Sequence, residues 1–387
     1  MTGKPIDEVL NWLDSQREAM TDLLEELVNT ESGTYNKPGV DAVGAKIEAH
    51  LNAAGIKTER TGAENFGDCI RAEISAAPGG ANRHIVLMGH RDTVFPDGTV
   101  ADRPFTRDGD IAYGPGVADM KSGLVMNTFI MEAFHKFGGA PFPLVALYTG
   151  DEEIGSPSGR PVIEATARGA RAVFNAEPGR ETGNVVTGRK GASFFKFEIA
   201  GVAAHSGGQP EKGVSAIEEM ARKIQALHAL TNFETGVTVN VGLLSGGSSV
   251  NTVAPLCTAE VDVRFKTMEQ RDQVWRDIQE ILDTTPLPGT ETRVVQERGF
   301  LPLTMSGDSQ NIFDIYVSGA SELGMAIDGE FSGGSADSGF TAQVGTPTLC
   351  STGPVGGGAH SINEYCRLDT LVPRAKAVAL AISRLNA

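Results

Sequence analysis

No run in this sequence is both long and apolar enough to span a bilayer, which takes about 20 residues. The N-terminus, Met1-Thr2-Gly3-Lys4-Pro5, leads straight into an amphipathic pattern and lacks the apolar core of a secretory signal. Together these absences predict a cytoplasmic location. Cysteine is scarce: Cys69, Cys257, Cys350 and Cys366 are scattered with no CxxC spacing. That pattern speaks against a disulfide frame or a zinc knuckle and predicts reduced, mostly buried thiols. Basic residues are outnumbered, 33 Lys and Arg against 49 Asp and Glu, for a formal net charge of -16. Such a balance repels nucleic-acid phosphates and anionic membrane surfaces, so neither is expected as a partner. A small anionic substrate is not excluded, because a few arginines or metal ions can dominate one pocket. There is no internal repeat and no low-complexity tail.

What is there suits a soluble globular chain with a sizeable core. It has 387 residues, 40% hydrophobic and 21% charged, long enough for two domains. Residues 6–28 carry apolar positions at helical spacing on a single face. A second helix is expected from Asp41 to Ala54, closed by Gly55. Strand-like runs follow at Cys69 to Ile74, His84 to Gly89, Leu144 to Thr149 and Ala172 to Ala176, with a helical stretch from Met120 to Phe137. Strands alternating with helices predict an α/β fold, a central mixed sheet covered by helices on both faces.

The texture changes near Gly188. Phe194 to Ile199, Val237 to Leu244 and Thr258 to Phe265 alternate as strands, while Val214 to Leu230 and Met268 to Leu282 read as helices. This β-α-β-β-α order predicts a small open sheet with helices on one face. Pro286-Leu287-Pro288-Gly289 is a turn. Helices near Ile312 to Leu323 and Asp369 to Leu385, and a strand near Thr348 to Ser351, return to the first texture. The expected organisation is a catalytic domain made of residues 1–187 and 303–387, with a smaller α+β domain, 188–302, inserted in it.

Five short segments carry ligand-type chemistry. Gly89-His90-Arg91-Asp92-Thr93-Val94 follows an apolar run, and ligands in α/β sheets gather beyond the carboxyl ends of strands. Asp92 is two residues from His90, so in extended chain both point the same way, and a metal-bound His usually gives its other N–H to such a carboxylate. Asp119, where Tyr113-Gly114-Pro115-Gly116-Val117-Ala118 turns into a helix, suits an N-cap as well as a carboxylate bridging two cations. Asp151-Glu152-Glu153 stacks three acids at a strand end, and their repulsion would be relieved by a cation. Glu177 follows another apolar strand, and His360 sits on the glycine loop Gly356-Gly357-Gly358. Mixed imidazole and carboxylate ligands suit zinc, and also cobalt or manganese. Two ions at co-catalytic separation require one shared carboxylate.

With GHRDTV, YGPGVADMKSG, TGDEEIGS, NAEPG, AAHSG and GGAHS in this order, the chain resembles the M20 family of metallopeptidases and deacylases over nearly its whole length. Its DMKSG, AEPG and Arg189-Lys190-Gly191 forms are most similar to glutamate carboxypeptidases of the carboxypeptidase G type. The resemblance implies two Zn2+ per subunit, one on His90 and Glu177, the other on Glu153 and His360, with Asp119 bridging. Asp92 would orient His90, Glu152 would act as general base on a metal-bound hydroxide nucleophile, and the peptide after Asp119 would be cis. The inserted domain would be a lid and a homodimer surface. His205 would stabilise the oxyanion in the partner subunit's site. Asn251, Arg264, Gly334 and Ser335 would contact a substrate carrying a carboxylate.

The implied reaction is hydrolysis of an amide bond in a small acyl-amino acid or short peptide, releasing C-terminal glutamate. N-acyl amino acid deacylases share the same motifs: aminoacylase, acetylornithine deacetylase and succinyl-diaminopimelate desuccinylase. A silent metal-binding protein of this fold would be marked by loss of Glu152 or of a ligand, and none is lost. One departure is Arg91, where relatives more often carry an uncharged side chain. It either tunes the metal pocket or points outward.

Overall fold

The computed structural model describes residues 4–385. The chain forms two compact units: one holds the chain up to Gly188, Thr304–Ser332 and Asp337 onward, the other Arg189–Leu303 and Gly333–Ala336.

The first unit is built on an eight-stranded mixed sheet covered by helices on both faces. Its strand order is Thr58–Thr61, Cys69–Ile74, Leu144–Thr149, Ile85–His90, Ala172–Asn175, Thr348–Cys350, Val185–Arg189 and Gly329–Ser332. The run from Leu144–Thr149 through Thr348–Cys350 is parallel. Every residue of Ile85–His90 and Leu144–Thr149 is buried, which is why these strands read as continuous apolar runs and not as alternation. Each fully buried Leu, Ile or Val there contributes roughly 1.5–3 kcal/mol. The helix Ser122–Lys136 packs on those two strands, and Ser338–Gln343 packs on Thr348–Cys350. The parallel strands thus end together, at Thr149, His90, Asn175 and Cys350, and the loops that follow carry the acidic and imidazole segments.

The expected continuous helix over residues 6–28 is two helices, Lys4–Asp14 and Arg17–Val28. Ser15 N and Ser15 Oγ both bond the Trp12 carbonyl, at 3.0 and 2.7 Å. A serine that competes for a helix carbonyl in this way ends the helix. A second small sheet, Gly356–Gly357, Tyr365–Arg367, Ile111–Tyr113 and Thr106–Asp108, was not anticipated. Its strands of two or three residues are too short to leave a periodic signal.

The second unit is a four-stranded antiparallel sheet ordered Thr238–Gly246, Leu256–Phe265, Gly191–Ala200 and Glu291–Phe300. Helices Ala216–Ala229 and Met268–Asp283 bury Met220, Leu227, Val274 and Ile278 against Phe195, Phe197, Val261 and Val263. Between these helices, Lys223 Nζ donates to the carbonyls of Ile281 and Leu282, both at 2.9 Å, and to that of Thr284. It so satisfies carbonyls that a helix end leaves unpaired. The strand Glu291–Phe300 was missed because it is an edge strand, mostly exposed and rich in charge. All four cysteines are free and buried. Among the described residues no helix is long and apolar enough to cross a membrane.

Candidate metal centre

At the carboxyl ends of the parallel strands, His90, Glu152, Glu153 and Glu177 meet Asp119, from the loop after Ile111–Tyr113, and His360, from the loop after Gly356–Gly357. His90 Nε2 lies 3.3 Å from Asp119 Oδ1, 3.7 Å from Glu177 Oε1 and 3.9 Å from Glu152 Oε2. On the other side of Asp119, His360 Nε2 lies 3.3 Å from Oδ2 and 3.2 Å from Glu153 Oε2. Each carboxylate oxygen of Asp119 therefore faces a different imidazole. Two sets of ligand-type atoms result, His90–Asp119–Glu177 and Asp119–Glu153–His360, each drawn within 4.8 Å. Such sets could each hold a cation, with Asp119 in common. The Asp119–Met120 peptide is cis.

Asp92 has no exposed surface. The Nδ1 of His90 is nearest the backbone carbonyl of Asp92, at 3.0 Å, with the Asp92 carboxylate second, 3.4 Å away. That carboxylate also accepts the backbone N–H groups of Glu152 (3.0 Å) and Glu153 (3.2 Å) and the Thr34 hydroxyl (2.7 Å). It orients the two glutamates as directly as it does the imidazole.

Crowded buried acids resist ionisation. Burial and the Glu177 carboxylate push Glu152 well above the usual carboxylate range, even against the pull of His90. Burial pushes Glu153 to about 7. The bonds from Asp119 and Glu153 hold His360 up at about 10. Burial alone would raise Asp119, but the His360 and His90 imidazoles hold it below the usual range.

Two acids in this region escaped the sequence reading. Asp337 is 3% exposed and accepts from the hydroxyls of Ser156 and, at 3.4 Å, Thr149. Burial drives it to about 8. Glu364 is buried and accepts three backbone N–H groups beside Asp119. Both look like ordinary loop acids in the sequence, since their partners are backbone amides and hydroxyls that no motif encodes.

Arg91 corrects an expectation: it neither lines the pocket nor points outward. Alternation along extended chain sends it opposite to His90 and Asp92. It is fully buried and donates to the carbonyls of Val40, at 2.9 Å, and Asp68. Gly44 makes room for it, because a Cβ there would lie 2.2 Å from Arg91 Nη1.

The remaining predicted residues lie in the second unit. His205 is exposed, and its Nδ1 accepts the backbone N–H of Gly207 (3.1 Å) and Gly208 (2.9 Å). Those donors fix the tautomer with the proton on Nε2. Asn251 adjoins it, accepting the Ser206 N–H through its backbone carbonyl at 3.0 Å, while its side-chain oxygen takes the Ser249 hydroxyl. Arg264 gathers with Ser335, donating Nη1 to its hydroxyl at 3.2 Å. The carbonyls of Gly334 and Ser335 accept from Arg189 Nη1 at 3.3 and 3.4 Å. The Nε and Nη2 of Arg264 donate to Asp262, at 2.7 and 3.0 Å, so the Nε side of its guanidinium is already taken.

An imidazole and carboxylate cluster at the carboxyl edge of a mixed sheet, with an inserted antiparallel unit, defines the class: a metal-dependent hydrolase of peptide or amide bonds. The chain belongs to the peptidase family M20/M25/M40, whose model matches residues 86–384. It is 29% identical over 378 residues to carboxypeptidase G2 of Pseudomonas sp. (strain RS-16), covering 96% of this chain and 90% of that one. It is 30% identical over 311 residues to acetylornithine deacetylase of Myxococcus xanthus, covering 74% and 78%. The fold matches an M20 family metallo-carboxypeptidase from Sulfolobus solfataricus with a TM-score of 0.77 at 18% identity, over 94% of this chain and 98% of that one.

Proposed function

We propose that this chain removes a C-terminal amino acid, glutamate foremost, from a small N-acylated substrate, using two zinc ions. The observation that carries the reading is Asp119, with one oxygen toward His90 and the other toward His360. The donor set fits such ions: two imidazoles and three carboxylates in two overlapping groups. Glu153 Oε1 is buried with no hydrogen-bond partner, which is costly unless a cation meets it. His90 and Glu177 would hold one ion, Glu153 and His360 the other, and Asp119 both. Cobalt or manganese would substitute.

When bound, the ions supply acidification of a water and polarisation of the scissile carbonyl. The chain's own groups do the rest. Glu152, 3.9 Å from His90 at the edge of the ligand cluster, takes a proton from the attacking water and passes it to the amine nitrogen as the C–N bond breaks. The products are the acyl carboxylate and the free amine of the released amino acid. His205, with Nε2–H as its donor, supports the oxyanion in the partner subunit's site. Arg264 meets the substrate carboxylate through the Nη end of its guanidinium, assisted by Asn251 and by the Gly334-Ser335 loop, because Asp262 holds the Nε side.

The acyl side has a candidate place in the first unit. A cavity of about 440 Å³ beside Glu153 is lined by Tyr35, Val94, Phe95 and Ile154, with Asn36 and the acid Asp97 also on its wall and no Lys, Arg or His to hold an anionic group. Such walls suit an uncharged, bulky or aromatic acyl group. In the second unit, the edge strand Thr238–Gly246 carries exposed Leu243 and Leu244. Exposed apolar residues on an open edge support a homodimer through that unit.

The second reading is an N-acyl amino acid deacylase, favoured by the match to an acetylornithine deacetylase. A panel tests both: folyl-glutamate, N-acyl-glutamate, N-acetyl-ornithine, N-succinyl-diaminopimelate and dipeptides, with zinc-loaded protein and Glu152→Gln as control. Preference for C-terminal glutamate that vanishes in the variant is expected. Preference for acetyl-ornithine moves the assignment to the deacylase, and turnover retained in Glu152→Gln removes that residue as base.

A further inference from the structure

The two halves of the metal centre come from segments far apart in the sequence, and one buried side chain ties them together. Glu364 is 1% exposed and stands four residues beyond His360, on the same excursion of chain. Its Oε2 accepts the Gly116 N–H at 3.0 Å. Its Oε1 accepts the N–H groups of Ala118 and Asp119, both at 2.9 Å. One carboxylate thus fills a cradle of three backbone donors in the loop that presents Asp119.

The chain around it is shaped for this approach. Tyr365 pairs with Tyr113 in the small sheet, directly after Glu364 and directly before the Gly114–Asp119 loop. A Cβ on Gly356 would sit 2.6 Å from that of Ala118. His360 itself holds a positive φ of 62° at the tip of the turn. Its place is therefore fixed by its surroundings and not by its own backbone preference.

We propose that Glu364 is a positioning residue, setting the distance between Asp119 and His360 so that both can serve one cation. The proposal rests on the metal reading of the site. It adds what the motif residues lack, namely the link between the ligand loops. Hydrogen bonds that backbone N–H groups donate to a buried carboxylate are of the strong, charge-assisted kind. Outer partners of this sort typically change metal affinity about 10- to 100-fold when altered.

Glu364→Gln tests it in the full chain. Whichever way the amide is turned, its NH2 opposes at least one of the three N–H donors. Zinc affinity by chelator competition, and the absorption spectrum of the Co2+-loaded protein, are the readouts. The expected result is affinity weakened about 10- to 100-fold with a shifted cobalt spectrum. Glu364→Asp, which keeps both oxygens, should recover part of the loss. Glu219→Gln, at the buried Lys223 pair of the second unit, should lower the melting temperature without changing zinc affinity. Wild-type affinity and spectrum in Glu364→Gln, or an equal loss in Glu219→Gln, overturns the proposal. Failure of the unsubstituted chain to bind zinc sinks the metal reading along with it. If Glu364→Gln does not fold, hydrogen exchange on the unsubstituted metal-free chain decides: slow exchange at the Ala118 and Asp119 amides supports the cradle, and fast exchange refutes it.

Discussion

Replacing Asp92 by asparagine keeps the shape of the side chain and removes its charge and one acceptor. The carboxylate has four partners: His90 Nδ1, the Glu152 and Glu153 amides, and the Thr34 hydroxyl. If the new NH2 takes the Oδ1 place, it faces both the Glu152 N–H and the His90 ring. If it takes the Oδ2 place, it faces the Glu153 N–H, while the Thr34 hydroxyl can rotate to accept. The second arrangement is better, and it still strands one buried N–H and removes the charge from the other contacts. A stranded buried donor costs about 1–3 kcal/mol, and a bond to a charged group is worth about 1.5–3 kcal/mol. Roughly 2–4 kcal/mol of the stability of the metal-free chain should therefore be lost. Because the same carboxylate aims His90, Glu152 and Glu153, zinc affinity should fall about 10- to 100-fold as well. Thermal melts of metal-free protein and chelator competition measure the two effects separately. Zinc affinity within threefold of the unsubstituted chain would refute the idea that Asp92 organises the site.

His205→Ala should lower kcat about 100-fold through loss of one oxyanion donor while zinc content stays constant; a change in KM alone would argue for substrate binding instead. Arg264→Ala should raise KM for substrates with a free carboxylate and leave their amidated analogues unaffected, as steady-state kinetics on matched pairs will tell. The metal-free chain should grow less stable as pH rises from about 5 to 10. Glu153 is raised by burial from 4.5 to about 7, and His360 by its carboxylate neighbours from 6.5 to about 10. In each case the folded chain holds the proton more tightly than the unfolded one. That stability is present below the unfolded value and is lost as pH climbs through the folded value. Zinc should reverse the trend, since its ligands must be deprotonated; melting curves across pH with and without chelator would contradict this if both rose together.

The parallel strands of the first unit were legible because burial on both faces makes them continuous apolar runs; the candidate segments at His90, Asp151–Glu153 and Glu177 stand out because they follow such runs, whereas Asp119 and His360 stand on glycine loops. What escaped depends on contacts the chain makes with itself at a distance. Arg91 was misread because its neighbours His90 and Asp92 drew attention to the pocket, whereas alternation sends it to the carbonyls of Val40 and Asp68. Glu364 and Asp337 act through backbone amides and hydroxyls, and residue type does not announce such partners. The edge strand Glu291–Phe300 hid behind its charges, and the break after Asp14 turns on one serine bonded to Trp12. In the second unit the sequence points to Arg264, but only the geometry reveals that Asp262 already holds the Nε side of its guanidinium.

Zinc bound per chain, counted by elemental analysis after gel filtration, tests the shared-carboxylate site most directly. Two zinc ions per chain are predicted, with one retained in Glu177→Ala, one in Glu153→Ala and none in Asp119→Ala. A single zinc in the unsubstituted chain, or an Asp119→Ala variant that still holds both, would contradict the account.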